Sequence, residues 1–125
     1  MSKLILQPKT STFIPRHPVT GETNFGTEEN PIEGSFIVAG VNSREFYDTI
    51  NALSQEEEIG TNSEFGRRTL AGCIVGWETS EFYTDDNDNP IEYSQDAAIE
   101  LVTNNDNLWI INQLRRYVED SANFF

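Results

Sequence analysis

The chain has 125 residues and carries 21 Asp and Glu against eight Lys and Arg, a formal net charge of −13 at pH 7. Its length fits one domain with one hydrophobic core, and eight Phe, four Tyr and two Trp supply the large apolar side chains that disordered chains lack. A body this acidic repels phosphate groups, which argues against direct binding of DNA or RNA.

Cysteine usage and the lack of long apolar runs indicate a reduced, soluble protein. Cys73 is the single cysteine and lies in the apolar run LAGCIVGW. It cannot form a disulfide within the chain, and we expect its side chain to pack in the core. No stretch approaches the ~20 apolar residues of a membrane span, and the N-terminus lacks the apolar region of a signal peptide. We therefore expect a cytoplasmic protein that does not bind membranes.

Residues 1–33 are predicted to form an extended, proline-containing basic arm or a hairpin. The first 21 residues carry three cations and no acid, and the four prolines between Pro8 and Pro31 are excluded from helix interiors. Two short runs, 4–6 and 12–14, have the β-branched and aromatic content of strands. Residues 34–125 are predicted to form the acidic, mainly helical body of the same single domain.

The body is predicted to begin with a strand and a helix. Residues 35–41, SFIVAGV, form a continuous apolar run that is too short for a helix, which predicts a strand. Ser43 is then expected to cap a helix in which Phe46, Ile50 and Leu53 share one face.

A longer central helix is predicted to start near Thr61 or Ser63 and to run to about Phe82. Thr61 and Glu64 have the spacing of a capping box. Three glycines in this segment weaken a helix and indicate a neighbour packed close to its backbone. The apolar face of the predicted helix contains Phe65, Leu70, Cys73, Ile74 and Trp77.

Two more helices are predicted after an acidic turn at 85–90. Ser94 is expected to cap the first, which ends near Asn104, and Asp106 or Asn107 opens the second. Together these elements predict an α+β fold, mainly helical, with three to four helices packed on a small N-terminal antiparallel sheet or hairpin. The apolar stripe of the last helix contains Leu108, Ile111, Leu114, Val118 and Ala122.

The sequence contains no signature of catalysis or of a cofactor. Asp85, Asn87 and Asn89 match the opening ligands of an EF-hand calcium loop. Pro90 and Asp96 stand where that loop needs glycine and glutamate, so we expect a solvated turn and no metal. The single histidine has no second metal ligand near it in sequence. Because no phosphate loop, nucleophile elbow or dinucleotide motif is present, we expect a protein that is not an enzyme.

The order of segments in the C-terminal half resembles that of a known family. The run LAGCIVGWE, the acidic turn DDNDNPIEYS and the final NFF are similar to the layout of the small tail assembly chaperones of long-tailed bacteriophages. The resemblance implies a helical, non-enzymatic protein of the host cytoplasm that binds the tape-measure protein and helps to recruit the major tail protein. The proline-rich basic arm departs from the family's pattern.

A chaperone for an aggregation-prone helical client needs exposed apolar surface beside charged groups. Large aromatic side chains dominate interfaces and cores alike, and two adjacent Phe at a chain end are hard to bury on one helix face. Self-association through the same apolar surface is also expected. The candidate partner-binding residues are Leu70, Ile74, Trp77, Phe124 and Phe125.

Two other functions are compatible with the sequence. An acidic phage-encoded inhibitor would imitate DNA with rows of carboxylates, and it would bind a basic host protein in a salt-sensitive way. A structural component of the virion tail would instead dock through its N-terminal arm.

Overall fold

The structure, a computed structural model, describes residues 5–54 and 62–125, without the side chains of residues 62–64. Within these ranges the chain forms the predicted α+β fold, with helices packed on a small antiparallel sheet. The strands are β1 (Ser11–Phe13), β2 (Ser35–Val38) and β3 (Ile74–Glu78). The helices are α1 (Arg44–Ser54), α2 (Asn62–Cys73), α3 (Gln95–Thr103) and α4 (Leu108–Glu119).

The sheet has the order β1-β2-β3, and both pairings are antiparallel. Phe36 on the middle strand pairs with Phe13 on one side and with Trp77 on the other. Directly opposed residues point to the same face of a sheet, so these three aromatic side chains lie together, and all three are buried. Ile37 points to the other face and is 43% exposed. One face of the sheet therefore meets the helices and the other meets solvent.

The prediction of one long central helix is wrong beyond Cys73. Helix α2 ends there and the chain continues as β3, so Trp77 lies on a strand and not at the end of a helix. The β-branched and aromatic side chains of this segment favour a strand, and Gly76 is a poor helix former. Strand β3 pairs with β2, which is distant in sequence. No local sequence pattern reveals this pairing.

The close packing predicted from the glycines occurs at Gly72. A Cβ at this position would collide with the side chain of Thr49, so glycine lets α1 and α2 approach closely. A Cβ at Gly66 would meet no atom of the described residues within 4 Å, the backbone of its own helix apart. Gly76 lies in β3 and would make only ordinary van der Waals contact with Ile37.

Helix α4 covers the outer edge of the arm. The Gln113 side chain pairs with both backbone groups of Arg16: its Oε1 accepts from the N–H at 2.9 Å, and its Nε2 donates to the C=O at 2.7 Å. The Tyr117 hydroxyl donates to the Thr12 carbonyl at 3.0 Å. The strand predicted at 12–14 is found as β1, and these contacts hold it against the body.

The strand predicted at 4–6 is not found in the residues that the structure describes. Ile5 and Leu6 are exposed and lie outside any strand, and the first residue of that run is outside the described ranges. The backbone N–H of Lys9 does reach the body, where it donates to the Phe124 carbonyl at 2.9 Å.

Most of the predicted helix starts are confirmed. The hydroxyls of Ser43 and Ser94 each accept from the backbone N–H three residues ahead, at 3.2 and 3.0 Å, at the starts of α1 and α3. Helix α4 begins directly after Asn107. The capping box predicted at Thr61 and Glu64 lies outside the described residues.

One core joins the sheet to the helices. Ile111, Leu114 and Val118 of the predicted α4 stripe are buried. Leu108 is exposed at the first turn, and Ala122 is exposed because it lies beyond the end of α4. In the described ranges, no helix combines the length and the apolar character that crossing a membrane requires. The core residues are Phe13, Phe36, Val38, Leu70, Ala71, Cys73, Ile74, Trp77, Ala98, Leu101, Val102, Ile110, Ile111, Leu114, Val118 and Phe124.

Candidate binding groove

A groove of about 400 Å³ lies between α1, α2 and α4. Its walls are mainly apolar, and several of the wall residues are only half-buried, so the groove opens to solvent. The apolar lining consists of Val41, Phe46, Ile50, Phe65, Leu70 and Val118. The remaining lining consists of Gly66, Thr69, Cys73, Arg115 and Glu119.

Local sequence explains how α1 forms one wall of the groove. The Ser43 cap starts the helix, and Phe46 and Ile50 then fall on one face because they are four residues apart. The close approach of Gly72 to Thr49 sets the spacing between α1 and α2. Both apolar α1 side chains stay half-buried, because the groove separates them from α4.

The floor of the groove is uncharged. Burial, followed by the nearby Glu45 carboxylate, raises the pKa of the Cys73 thiol to about 12, so the thiol stays protonated at neutral pH. A protonated, buried thiol is a poor nucleophile. The Thr69 hydroxyl donates to the Phe65 carbonyl at 2.8 Å. The floor therefore suits an apolar group better than a polar one.

The rim of the groove carries one cation and one carboxylate. Arg115 and Glu119 lie one turn apart on α4, and both are exposed. Glu45 on α1 is also exposed, and it lies near enough to act on the Cys73 thiol. Arg115 and Glu119 thus line the groove beside its apolar side chains.

The five partner-binding residues predicted from the sequence fall in different environments. Leu70 lines the groove, while Ile74 and Trp77 lie in the core on β3. Phe124 is 2% exposed and packs so closely on Gly40 that a Cβ there would lie 2.6 Å from its ring. Phe125 is 41% exposed. In this conformation four of the five side chains stabilise the core, and Phe125 alone among them is presented to solvent.

The Trp77 side chain makes both a hydrogen bond and aromatic contacts within the fold. Its indole N–H donates to the Ile91 carbonyl at 2.9 Å. Its ring makes edge-to-face contacts with Phe36, Tyr83 and Tyr93. This environment is that of a structural core residue.

Local patterns in the sequence predict parts of the groove but not the groove itself. The α1 face with Phe46 and Ile50 and the α4 stripe with Val118 were both visible as helical periodicity. Arg115 and Glu119 carried no such signal, because exposed charges on a helix are common. The sequence does not show that α1, α2 and α4 meet around a gap.

The calcium-like segment forms a compact turn. Asp85 Oδ1 accepts from the backbone N–H groups of Asn87 and Asn89 at 2.8 and 3.0 Å. Thr84 and Pro90 form an isolated antiparallel bridge that closes the turn. The carboxylate of Asp85, the first of these alternating oxygen-bearing side chains, thus stabilises the turn. Among the described residues, no three His, Cys, Asp or Glu side chains come together as a group that could hold a metal ion.

Comparison with known proteins gives no relative for this chain: no family model, no curated protein and no solved structure matches it. The geometry and charge of the groove are therefore the basis for assigning a function.

Proposed function

We propose that this chain is a non-enzymatic tail assembly chaperone of a long-tailed bacteriophage. In this proposal it acts late in infection in the host cytoplasm and binds tape-measure and tail tube proteins before they assemble. The observation that carries the proposal is the apolar groove between α1, α2 and α4, which opens to solvent and has an uncharged floor.

The groove suits a chaperone whose client exposes an apolar helix surface before assembly. Such a surface is covered when an amphipathic helix places its apolar face in a groove. The excess of 13 negative charges over the whole chain keeps the protein soluble while it carries an aggregation-prone client. The choice of tail proteins as clients rests on the resemblance of the segments LAGCIVGWE, DDNDNPIEYS and NFF to the tail assembly chaperones.

The second candidate function is an acidic inhibitor that imitates DNA. Its supporting observation is that 21 carboxylates face only eight cations, so many carboxylates have no cation of their own. An inhibitor of this type needs no groove. Docking of a virion component through a free arm has less support, because Gln113 and Tyr117 hold the arm against α4.

Co-expression with the tail proteins of the same genome tests the proposal. The tagged chain is purified with the tape-measure or major tail protein, and light scattering measures the mass of the complex at low and high salt. We expect a complex that survives high salt, since apolar contacts are not screened. The mass of the free chain in the same experiment reports self-association.

Two substitutions at Gly66 make the test specific for the groove. Gly66→Trp projects a large ring from α2 at the groove, whereas Gly66→Ala adds one methyl group into open space. We expect the Trp variant to lose the complex and the Ala variant to keep it. If no tail protein binds and the chain instead captures a basic host protein that salt releases, the inhibitor replaces the chaperone.

A further inference from the structure

We infer that the groove receives the exposed apolar pair Ile5 and Leu6 of a second copy of this chain, so that the arm of one copy docks on the body of another. The inference concerns the groove of the proposed function, but it does not require tail proteins as clients.

The arm presents an apolar pair that its own chain leaves exposed. Ile5 is fully exposed and Leu6 is 64% exposed, although both are large aliphatic side chains. The chain is fixed to the body shortly afterwards, because the backbone N–H of Lys9 donates to the Phe124 carbonyl at 2.9 Å. Pro8 restricts the residue before it to extended conformations. The apolar pair therefore lies at the outer end of a short segment whose base is anchored.

The groove offers apolar surface that can cover such a pair. Phe46, Leu70 and Val118 present hydrocarbon from three different helices, and the Cys73 thiol in the floor is uncharged. The volume of about 400 Å³ falls within the ~300–1,000 Å³ of pockets that hold small organic ligands, so an aliphatic side chain fits. Successive side chains of an extended segment point to opposite sides. One side chain of the pair therefore enters the groove, and the other covers its mouth.

The apolar pair and the groove are exposed at the same time in one chain, which favours a second copy as the partner. In the described conformation Ile5 and Leu6 do not line the groove of their own chain. Every copy therefore carries both the pair and a surface that can cover it, and two copies can exchange their arms. Exchange of an identical element between copies is a low-cost route to a dimer.

The distribution of charge is compatible with this exchange. The first 21 residues carry three cations and no acid, whereas the rest of the chain carries 21 carboxylates against five arginines. The arm of one copy is thus attracted to the acidic body of another, while the two bodies repel each other. At the groove itself the charges of Arg115 and Glu119 balance. The apolar side chains therefore decide the contact there.

Sedimentation of the full chain at increasing concentration tests the inference from the side of the arm. High salt screens the repulsion between the acidic bodies, and we expect the mass to rise from monomer to dimer. Ile5→Ser combined with Leu6→Ser should weaken the dimer at least about tenfold, because it removes the apolar pair and leaves the anchor at Lys9 in place. Val19→Ser is the matched control, since Val19 is another strongly exposed aliphatic residue of the arm, and it should leave the dimer unchanged.

Two further variants and a mixture test the side of the groove. Gly66 lines the groove and is exposed, so Gly66→Trp should also weaken the dimer at least about tenfold, and Gly66→Ala should not. The double Ser variant keeps the groove and loses the pair, whereas Gly66→Trp keeps the pair and loses the groove. A mixture of these two variants should therefore form a heterodimer at a concentration at which neither variant dimerises alone. Circular dichroism confirms that each variant is folded.

The outcomes separate the inference from the proposed function. A chain that stays monomeric at every concentration, a dimer that either the double Ser variant or Gly66→Trp leaves unchanged, or a mixture without heterodimer would overturn the inference. Docking of the pair in the groove of its own chain would also overturn it, and would appear as a monomer in which the Ser substitutions lower the hydrogen-exchange protection of α1. The tail-protein complex of the co-expression experiment is measured independently of these results.

Discussion

At the residue scale, the Thr79 hydroxyl is buried and has no hydrogen-bond partner in the part of the chain that the structure describes. Thr79 directly follows β3 and is 3% exposed. Its Oγ1 has no hydrogen-bond donor or acceptor among the described residues. An unsatisfied buried hydroxyl costs roughly 1–3 kcal/mol relative to its state in water. This position is therefore one where the sequence is not optimised for stability.

Thr79→Val is expected to raise the free energy of unfolding by about 1 kcal/mol, because a methyl group replaces the unpaired hydroxyl in the same shape. Urea unfolding followed by circular dichroism measures the change, with an unchanged m value as the check on two-state behaviour. Thr79→Ser is the control, which keeps the hydroxyl and should not stabilise. A loss of stability in the Val variant would show that the hydroxyl has a partner.

Two glycines give opposite predictions for the same substitution. Gly40→Ala places a Cβ 2.6 Å from the buried Phe124 ring and is expected to cost about 1–3 kcal/mol of stability. Gly66→Ala meets no neighbour in α2 and is expected to add roughly 0.5–1 kcal/mol. Urea midpoints of the two variants measure both effects. A midpoint of Gly40→Ala that stays the same or rises would contradict the packing described for Phe124, and a lower midpoint of Gly66→Ala would contradict the open space described at Gly66.

Cys73 links stability to alkaline pH. Its folded pKa is raised from the ordinary 9.0 to about 12, mainly by burial. The unfolded chain therefore releases the thiol proton at a lower pH than the folded chain, so stability is lost as the pH rises from about 9 to about 12. We expect this loss in thermal unfolding of the wild type and a smaller one in Cys73→Ala. Equal pH slopes in the two proteins would show that the thiol does not titrate differently on folding.

At the element scale, two side chains of α4 bind backbone groups of the arm, one on β1 and one just beyond it. The Gln113 amide offers an acceptor and a donor to Arg16, as a neighbouring strand would. Tyr117, one turn further along the helix, covers the Thr12 carbonyl. An edge strand with open backbone groups invites pairing with other chains. Tyr117 occupies one carbonyl of this edge, and Gln113 binds the backbone just beyond the end of β1.

Gln113→Ala is expected to lower stability by about 1–2 kcal/mol, because it removes two hydrogen bonds to the arm. The amide of Arg16 should then exchange with solvent faster, which hydrogen exchange measures directly. Gln113→Glu keeps the acceptor and loses the donor, so it should protect the Arg16 N–H but not restore full stability. Unchanged exchange at Arg16 in the Ala variant would contradict the role of α4 as an edge cover.

The elements that local pattern specifies could be predicted, and those that depend on distant partners could not. The caps at Ser43 and Ser94 and the buried stripe of α4 were readable because capping and helical periodicity act within a few residues. Strand β3 was missed because its partner β2 is distant in sequence. The groove was missed for the same reason, since it exists only where α1, α2 and α4 meet.

At the scale of the whole molecule, a small apolar groove sits in a strongly acidic surface. The buried core uses the aromatic side chains that the sequence suggested for binding, among them Trp77 and Phe124. The proposed binding surface consists of the half-buried side chains of α1 and the charged end of α4. In the proposed function, burial of the largest apolar groups and the charge excess would together let one small domain present an apolar site without aggregating.

Hydrogen exchange of the complex with the tape-measure protein tests the central claim most directly. The account predicts new protection on α1 and on the C-terminal half of α4, around Phe46 and Val118, with little change in the acidic turn at 85–90. Protection confined to that turn or to the arm, with the groove helices unchanged, would contradict the account.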